Sequence, residues 1–240
     1  MPMPTGTTNP AELRHTLKVL TFDLYGTVVD MQKGLTEAVT PFLKAKGWEG
    51  QPSSLVTWWR RTHLENSMID ALLDRGHTPY REIGRRALTL TLERAGVPHT
   101  QEEVRNLVGE IEKLRPFGDV VEALQRLKNG YTLVILSNGD PDMLENAKPY
   151  IGFEFDHYIS IATSGYFKPH FATHRKAAEI LDTDIGRIMH VANHAFDCIG
   201  AQAAGMKGAF INRRRRPYEK TPYQPHLVVE TFKDLADALA

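Results

Sequence analysis

Apolar positions along this chain follow two rhythms. Short, partly β-branched runs at residues 19–22, 132–136, 158–162, 188–192 and 208–211 predict five buried strands. Between the later runs, residues 120–127, 171–181 and 196–204 carry helical spacing, and Pro141 opens a further helix after the turn at Ser137, Asn138 and Gly139. Strands alternating with helices in this order predict an α/β fold, a doubly wound parallel sheet with right-handed crossovers.

The alternation breaks once. From residue 31 to 115 no run reads as a strand, while Val104, Leu107, Val108, Ile111 and Leu114 recur at helical intervals, as do Ile83, Ala87, Leu90 and Arg94. Such a stretch is far longer than an ordinary βα loop, so an inserted helical cap domain over the crevice is expected at 31–115. The core domain then comprises 17–30 and 116–240, preceded by a flexible tail at 1–16.

The strand ends carry the polar chemistry. The first run delivers Asp23 to its C-terminal end, where Gly26 and Thr27 turn the chain; a carboxylate there either caps the next segment or meets a ligand outside the sheet. The other ends present Ser137 with Asn138, and Asn193, His194 and Asp197, with Lys168 in the loop after the third strand. Together these supply a carboxylate nucleophile, a cation to hold it, donors for an anion and a second group able to activate water. Within the insertion, the wheel sets Arg60 among Val56, Leu64 and Ala71. There it snorkels, pairs with Glu65 or Asp70, or reaches an anion in the cleft.

Composition narrows the partners. Lys plus Arg and Asp plus Glu both number 29, so no net charge favours nucleic acid or an acidic membrane surface, and a small neutral or singly charged ligand is expected. The basic run from Arg213 to Arg216 lacks an aromatic platform and reads as a salt-bridged surface or a cap contact. The single Cys198 excludes an internal disulfide framework, and no Cys and His cluster has zinc spacing. With no apolar leader and no run of about 18 apolar residues, a cytoplasmic protein is expected.

The ordered motifs FDLYGT with Asp23, WRRTHLE, LSNGDP with Ser137, YFKP with Lys168, and a late segment ending in Asp197 resemble those of the haloacid dehalogenase superfamily, and most closely its L-2-haloacid dehalogenase family. The resemblance covers residues 17–213. It implies that Asp23 attacks C2 of a short 2-substituted carboxylic acid, giving an enzyme ester that water hydrolyses with overall inversion. Lys168 then resembles the lysine that keeps the nucleophile ionised, and Ser137 with the backbone N–H groups of Leu24 and Tyr25 matches the substrate-carboxylate site. Arg60 and Asn138 match the halide cradle, with Tyr80 at its aromatic wall; Asn193 and Phe196 are expected to line the substrate site. No cofactor or metal is expected, and a homodimer is possible by the same resemblance.

One position separates the chain from the superfamily's phosphatases, and two, in the last motif and at Tyr80, depart from the dehalogenase pattern. Phosphatases of the superfamily carry a second aspartate two residues after the nucleophile, where this chain has Tyr25, which disfavours phosphoryl transfer. The last motif reads Ala192, Asn193, His194, Ala195, Phe196, Asp197, so His194 stands at the water-positioning asparagine and is a candidate base. With Tyr80 at the cradle, fluoride or the ring nitrogen of a strained 2-carboxylate is an alternative leaving group. A small-molecule phosphatase and a non-catalytic binding protein are the remoter readings.

Overall fold

The computed structural model describes residues 8–74 and 76–240. Its centre is a six-stranded, all-parallel sheet in the order β3-β2-β1-β4-β5-β6, formed by β1 (Val19–Phe22), β2 (Thr132–Ser137), β3 (His157–Ser160), β4 (Ile188–Ala192), β5 (Lys207–Ile211) and β6 (Leu227–Val229). The strand order reverses around β1, so the switch point where ligands bind in open sheets falls beside the end of the first strand.

Both faces of the sheet are covered, which is why its strands read as continuous apolar runs rather than alternating ones. Val19, Val134, Leu136, Ile159 and Ile188 pack on one face against α8 (Phe171–Ile180) and α9 (Ala195–Ala204). Leu20, Phe22, Leu133, Ile135, Met189 and Val191 turn to the other face, into the main core. That core is covered by α1 (Pro10–Thr16), α6 (Val120–Leu127), α7 (Pro141–Ile151) and α10 (Phe232–Leu239).

Between β1 and α6 the chain makes α2 (Met31–Ala45), α3 (Pro52–Leu72), α4 (Tyr80–Arg94), α5 (Gln101–Gly109) and a 3-10 turn at Glu110–Lys113, with no strand among the described residues. The two ends of this insertion lie side by side. Asp30 N–H donates to Arg115 O at 2.9 Å and Phe117 N–H to Val28 O at 3.1 Å, so the helices project from a paired double crossing above the end of β1.

Three elements depart from the sequence expectation. Residues 10–16, read as part of a tail, form α1, capped by Asn9 and anchored by a fully buried Leu13; residues 1–7 lie outside the described residues. A sixth strand, β6, is three residues long, too short to give a periodic signal. The closing α10 is fixed by a capping box between Thr231 and Asp234 and by Phe232, whose ring stacks on Phe22 at 5.8 Å.

Candidate active site

The end of β1 is shaped so that Asp23 can stand clear of the sheet. Asp23 N–H still donates to Val191 O at 3.1 Å, extending the ladder with β4, and the chain then turns through Gly26 at φ +95°. Only glycine suits this position. Besides the left-handed backbone, a Cβ here would meet His194 Cε1 at 2.9 Å and Arg60 Nη2 at 3.0 Å. Thr27 closes the turn, donating its hydroxyl to Asp23 Oδ2 at 2.7 Å and accepting the Asn193 N–H at 2.9 Å.

Lys168 is the centre of the charge arrangement. It is 1% exposed, and its three ammonium donors go to Asp23 Oδ1 at 3.0 Å, Asp197 Oδ2 at 2.7 Å and Leu136 O at 2.9 Å. A buried ammonium is tolerated because every proton has an acceptor and two of the acceptors are anionic. Burial pulls the Lys168 pKa down, but Asp197 and Asp23 more than offset it, and the net direction is up. For Asp23, burial raises the pKa while Lys168 and then the neighbouring His194 imidazole lower it further, so the carboxyl stays ionised below its ordinary range. Asp197 is likewise depressed, burial being overcome by His190 and Lys168.

Asp197 reaches this position because α9 packs closely on the loop that carries Lys168. One turn beyond it lies Gly200, where a Cβ would stand 2.4 Å from Pro169 O. Behind Asp197 two histidines are fully buried. His190 faces Thr21 across the β1–β4 register, its Nδ1 2.9 Å from the hydroxyl, and its Nε2 lies 3.0 Å from Asp197 Oδ2. His174 Nε2 stands 3.9 Å from Asp197 Oδ1, and burial holds its pKa well below the ordinary value.

The insertion supplies the opposite wall. Arg60 donates from Nη1 to Gln32 Oε1 at 2.9 Å, so neither Glu65 nor Asp70 neutralises it; Glu65 binds Arg61 and Asp70 accepts from Thr78. Tyr80 is sandwiched between Tyr25, parallel at 5.6 Å, and His63 at 4.0 Å. Its position is set from the other side of the cleft. Tyr80 opens α4, which has no cap of its own, and Asp140 after β2 accepts the N–H groups of Tyr80 and Arg81 at 2.8 and 3.0 Å. A carboxylate at a helix N-terminus answers both the unpaired donors and the dipole. His63 Nε2 donates to Tyr80 O at 3.0 Å, and burial lowers the imidazole pKa to about 4, so the ring is neutral near pH 7.

These groups enclose a cavity of about 80 Å³ lined by Asp23, Tyr25, Arg60, Tyr80, Asn138, Lys168, His194, Phe196 and Asp197, together with His63. His194 Nδ1 is 3.5 Å from Asp23 Oδ2. Asn138 Oδ1 accepts the Lys168 N–H at 2.9 Å, which fixes the amide and leaves its NH2 as a donor. The remaining expected residues lie at the margin. Ser137 is fully buried, its Oγ accepting the Gly139 N–H at 3.1 Å; Leu24 turns its side chain into the core. The N–H groups of Leu24 and Tyr25 find no acceptor among the described residues. Asn193 donates to Gly26 O at 3.1 Å and faces a neighbouring cavity.

Residues 17–205 match the family of haloacid dehalogenase-like hydrolases. The chain is 26% identical over 223 residues to the (S)-2-haloacid dehalogenase H-109 of Pseudomonas putida, covering 92% of this chain and 96% of that protein. Among solved structures it resembles the L-2-haloacid dehalogenase RSc1362, with a TM-score of 0.86, 26% identity and coverage of 93% and 99%. It also resembles the L-2-haloacid dehalogenase of Xanthobacter autotrophicus with chloropropionic acid covalently bound, with a TM-score of 0.81, 25% identity and coverage of 92% and 97%.

Two outcomes follow from the helix cap and the buried imidazole. Asp140→Ala is expected to destabilise the fold by about 1–2 kcal/mol in urea titrations, and Asp140→Asn by less, because the amide keeps one acceptor. His63 binds a proton in the unfolded chain below its ordinary 6.5 but in the folded chain only below about 4. Between those values the unfolded state therefore holds more protons, and stability falls as pH falls, by at most about 1.4 kcal/mol per pH unit for one such group. His63→Phe is expected to flatten the slope between pH 6.5 and 4.5; an unchanged slope would contradict the assignment.

Proposed function

This chain belongs to the haloacid dehalogenase-like hydrolases, and we propose that it is a hydrolytic dehalogenase converting a short (S)-2-haloalkanoic acid to the 2-hydroxy acid with inversion. The observation that carries the reading is a buried, ionised Asp23 held by Lys168, facing the donors Arg60 and Asn138 across a cavity of about 80 Å³. A carboxylate oxygen of Asp23 attacks C2; the C2–O bond forms as the carbon–halogen bond breaks, and the electron pair leaves with the halide. Arg60, Asn138 and Tyr80 supply the charge and hydrogen bonds that a departing anion needs.

The absence of an acid beside the nucleophile points the same way. Tyr25 is buried, and its phenol is pushed well above its usual pKa, by burial first and then by Tyr80. It is a poor proton donor to an alkoxide, whereas a halide leaves without a proton. Relatives named for (S)-2-haloacids, and one solved with chloropropionic acid covalently bound, support the ester step.

The free N–H groups of Leu24 and Tyr25, with Ser137 at the end of β2, suit the substrate carboxylate. In the second step water adds to the ester carbonyl, passing a proton to His194, 3.5 Å from Asp23 Oδ2. The ester C–O bond then breaks, the departing alkoxide takes that proton back from His194, the second proton of the water passes to solvent, and Asp23 returns to its ion pair as a carboxylate. Residues 31–115 act as a cap domain on the core of 17–30 and 116–240, and the enzyme works in the cytoplasm as a homodimer without a cofactor.

One observation favours a second leaving group. His194 Nε2 and Arg60 Nη2 converge at the Cβ position of Gly26, at 3.4 and 3.0 Å, so an imidazole nitrogen able to hydrogen-bond a polar leaving group stands beside Arg60. Fluoride or a strained ring nitrogen would gain from it.

The test is halide release, by ion chromatography, from (S)- and (R)-2-chloropropionate with EDTA present. Release from the (S) acid, reduced at least about a thousandfold in Asp23→Asn, is expected, and His194→Ala is expected to accumulate a covalent adduct visible by mass spectrometry. No halide from the folded protein would overturn the reading, and turnover of fluoroacetate or azetidine-2-carboxylate would then identify the alternative.

A further inference from the structure

Next to the catalytic cavity lies a second one of about 500 Å³, and among the described residues Arg60 alone lines both. Its walls come from the start of α2, from Ser53, from Phe117 and from the turn after β5. Four cations and two carboxylates line it, and most of these charges already have partners. Asp30 Oδ1 caps α2 by accepting the Lys33 N–H at 3.0 Å, and Lys33 Nζ stands 4.0 Å from Glu37. Arg213 is bound to Asp119 at 2.9 Å, with its guanidinium over the Phe117 ring at 4.1 Å.

Arg60 and Arg214 are left. Arg60 has a neutral partner in Gln32, and its Nε is buried with no acceptor. Arg214 makes no ion pair and no side-chain hydrogen bond among the described residues, although its neighbours do. The turn is pinned on one side by Arg213 and on the other by Arg215, whose Nη2 lies 2.8 Å from Glu230 Oε2. Asn212 closes it, accepting the Arg216 N–H at 2.9 Å and donating to Arg216 O at 2.8 Å. The Arg214 charge acts on Arg60, lowering its pKa alongside the larger effect of burial. Two guanidinium groups repelling each other across a cavity are brought into balance by one anion between them.

We propose that Arg60 and Arg214 form an anion-binding station outside the reaction chamber, taking a small monovalent anion on its way past Arg60. Under the dehalogenase reading, on which this assignment of cargo rests, the anion is the inbound substrate carboxylate or the outbound halide. The station itself does not depend on that reading. Arg60 thus serves two cavities: one face of the guanidinium meets the leaving group, and the other meets the next anion in line.

Crystals soaked in sodium bromide test the site through anomalous scattering, with propionate as competing carboxylate. The native protein is expected to hold bromide within hydrogen-bonding distance of both Arg60 and Arg214, and Arg214→Gln is expected to lose it. Displacement by propionate assigns the station to the inbound carboxylate; bromide persisting against propionate assigns it to the outbound halide. In kinetics with (S)-2-chloropropionate, Arg214→Gln is expected to lower kcat/KM about threefold to tenfold at low ionic strength, with kcat changed less than twofold. The gap should close in about 0.5 M salt, and Arg214→Glu should widen it. No bromide between the two arginines, or an Arg214→Gln kcat/KM equal to native at low salt, overturns the proposal. Bromide at the station in a protein that releases no halide from any substrate would instead refute the dehalogenase reading and leave the anion site standing.

Discussion

The structure turns on one buried ammonium. Lys168 joins the nucleophile-bearing end of β1, the carbonyl at the end of β2 and the first turn of α9 through three hydrogen bonds, at 3.0, 2.9 and 2.7 Å. Its burial would be prohibitive without Asp23 and Asp197, and in turn it lowers the pKa of both carboxylates, foremost for Asp23 and after His190 for Asp197. The same contact therefore does two jobs. It fixes the geometry of two strand ends and a helix start, and it keeps Asp23 an anion in a cavity too small to solvate it well. Removing one partner leaves an unpaired charge in the core, so stability and reactivity are coupled at this point.

Around that centre the core and the helical insertion share one hydrophobic cluster, and polar contacts set how they meet at the site. Asp140, in the turn after β2, caps α4 and so sets Tyr80; Tyr80 stacks on Tyr25 from the loop after β1, and Arg81 binds Glu112 and Asp142 at 2.7 and 2.9 Å. The cradle is thus assembled from both units. Arg60, held by a neutral Gln32, keeps its charge available for an anion, which a carboxylate partner would have cancelled.

Much of this was legible in the sequence because strand ends carry chemistry at fixed offsets. Asp23 and His194 stand just beyond strands, Lys168 in the loop after β3 and Asp197 in the first turn of the helix after β4, and a parallel sheet brings those segments together whatever the intervening length. The supporting residues gave weaker signals. Asp140 acts on a helix that begins 60 residues earlier, and nothing local in LSNGDP points there. His190, inside the apolar run IMHVA, is the one polar break in that strand and could have been questioned; His174 and His63 sit on helix faces where an imidazole reads as ordinary packing. Residues 10–16 and the last helix carried capping signals in Asn9 and Thr231, but their apolar periodicity is short. Arg214 had no signal of its own: the four arginines look alike until the structure shows that Asp119 and Glu230 engage two of them.

The most direct test of the nucleophile is a single turnover in water enriched in oxygen-18, with enzyme in excess over (S)-2-chloropropionate. If Asp23 attacks carbon and water then attacks the ester carbonyl, the label enters the Asp23 carboxylate, detectable in its proteolytic peptide, and the first 2-hydroxy acid carries an unlabelled hydroxyl. Label in the hydroxyl of that first product, with none in Asp23, would mean that water attacks carbon directly and would contradict the account.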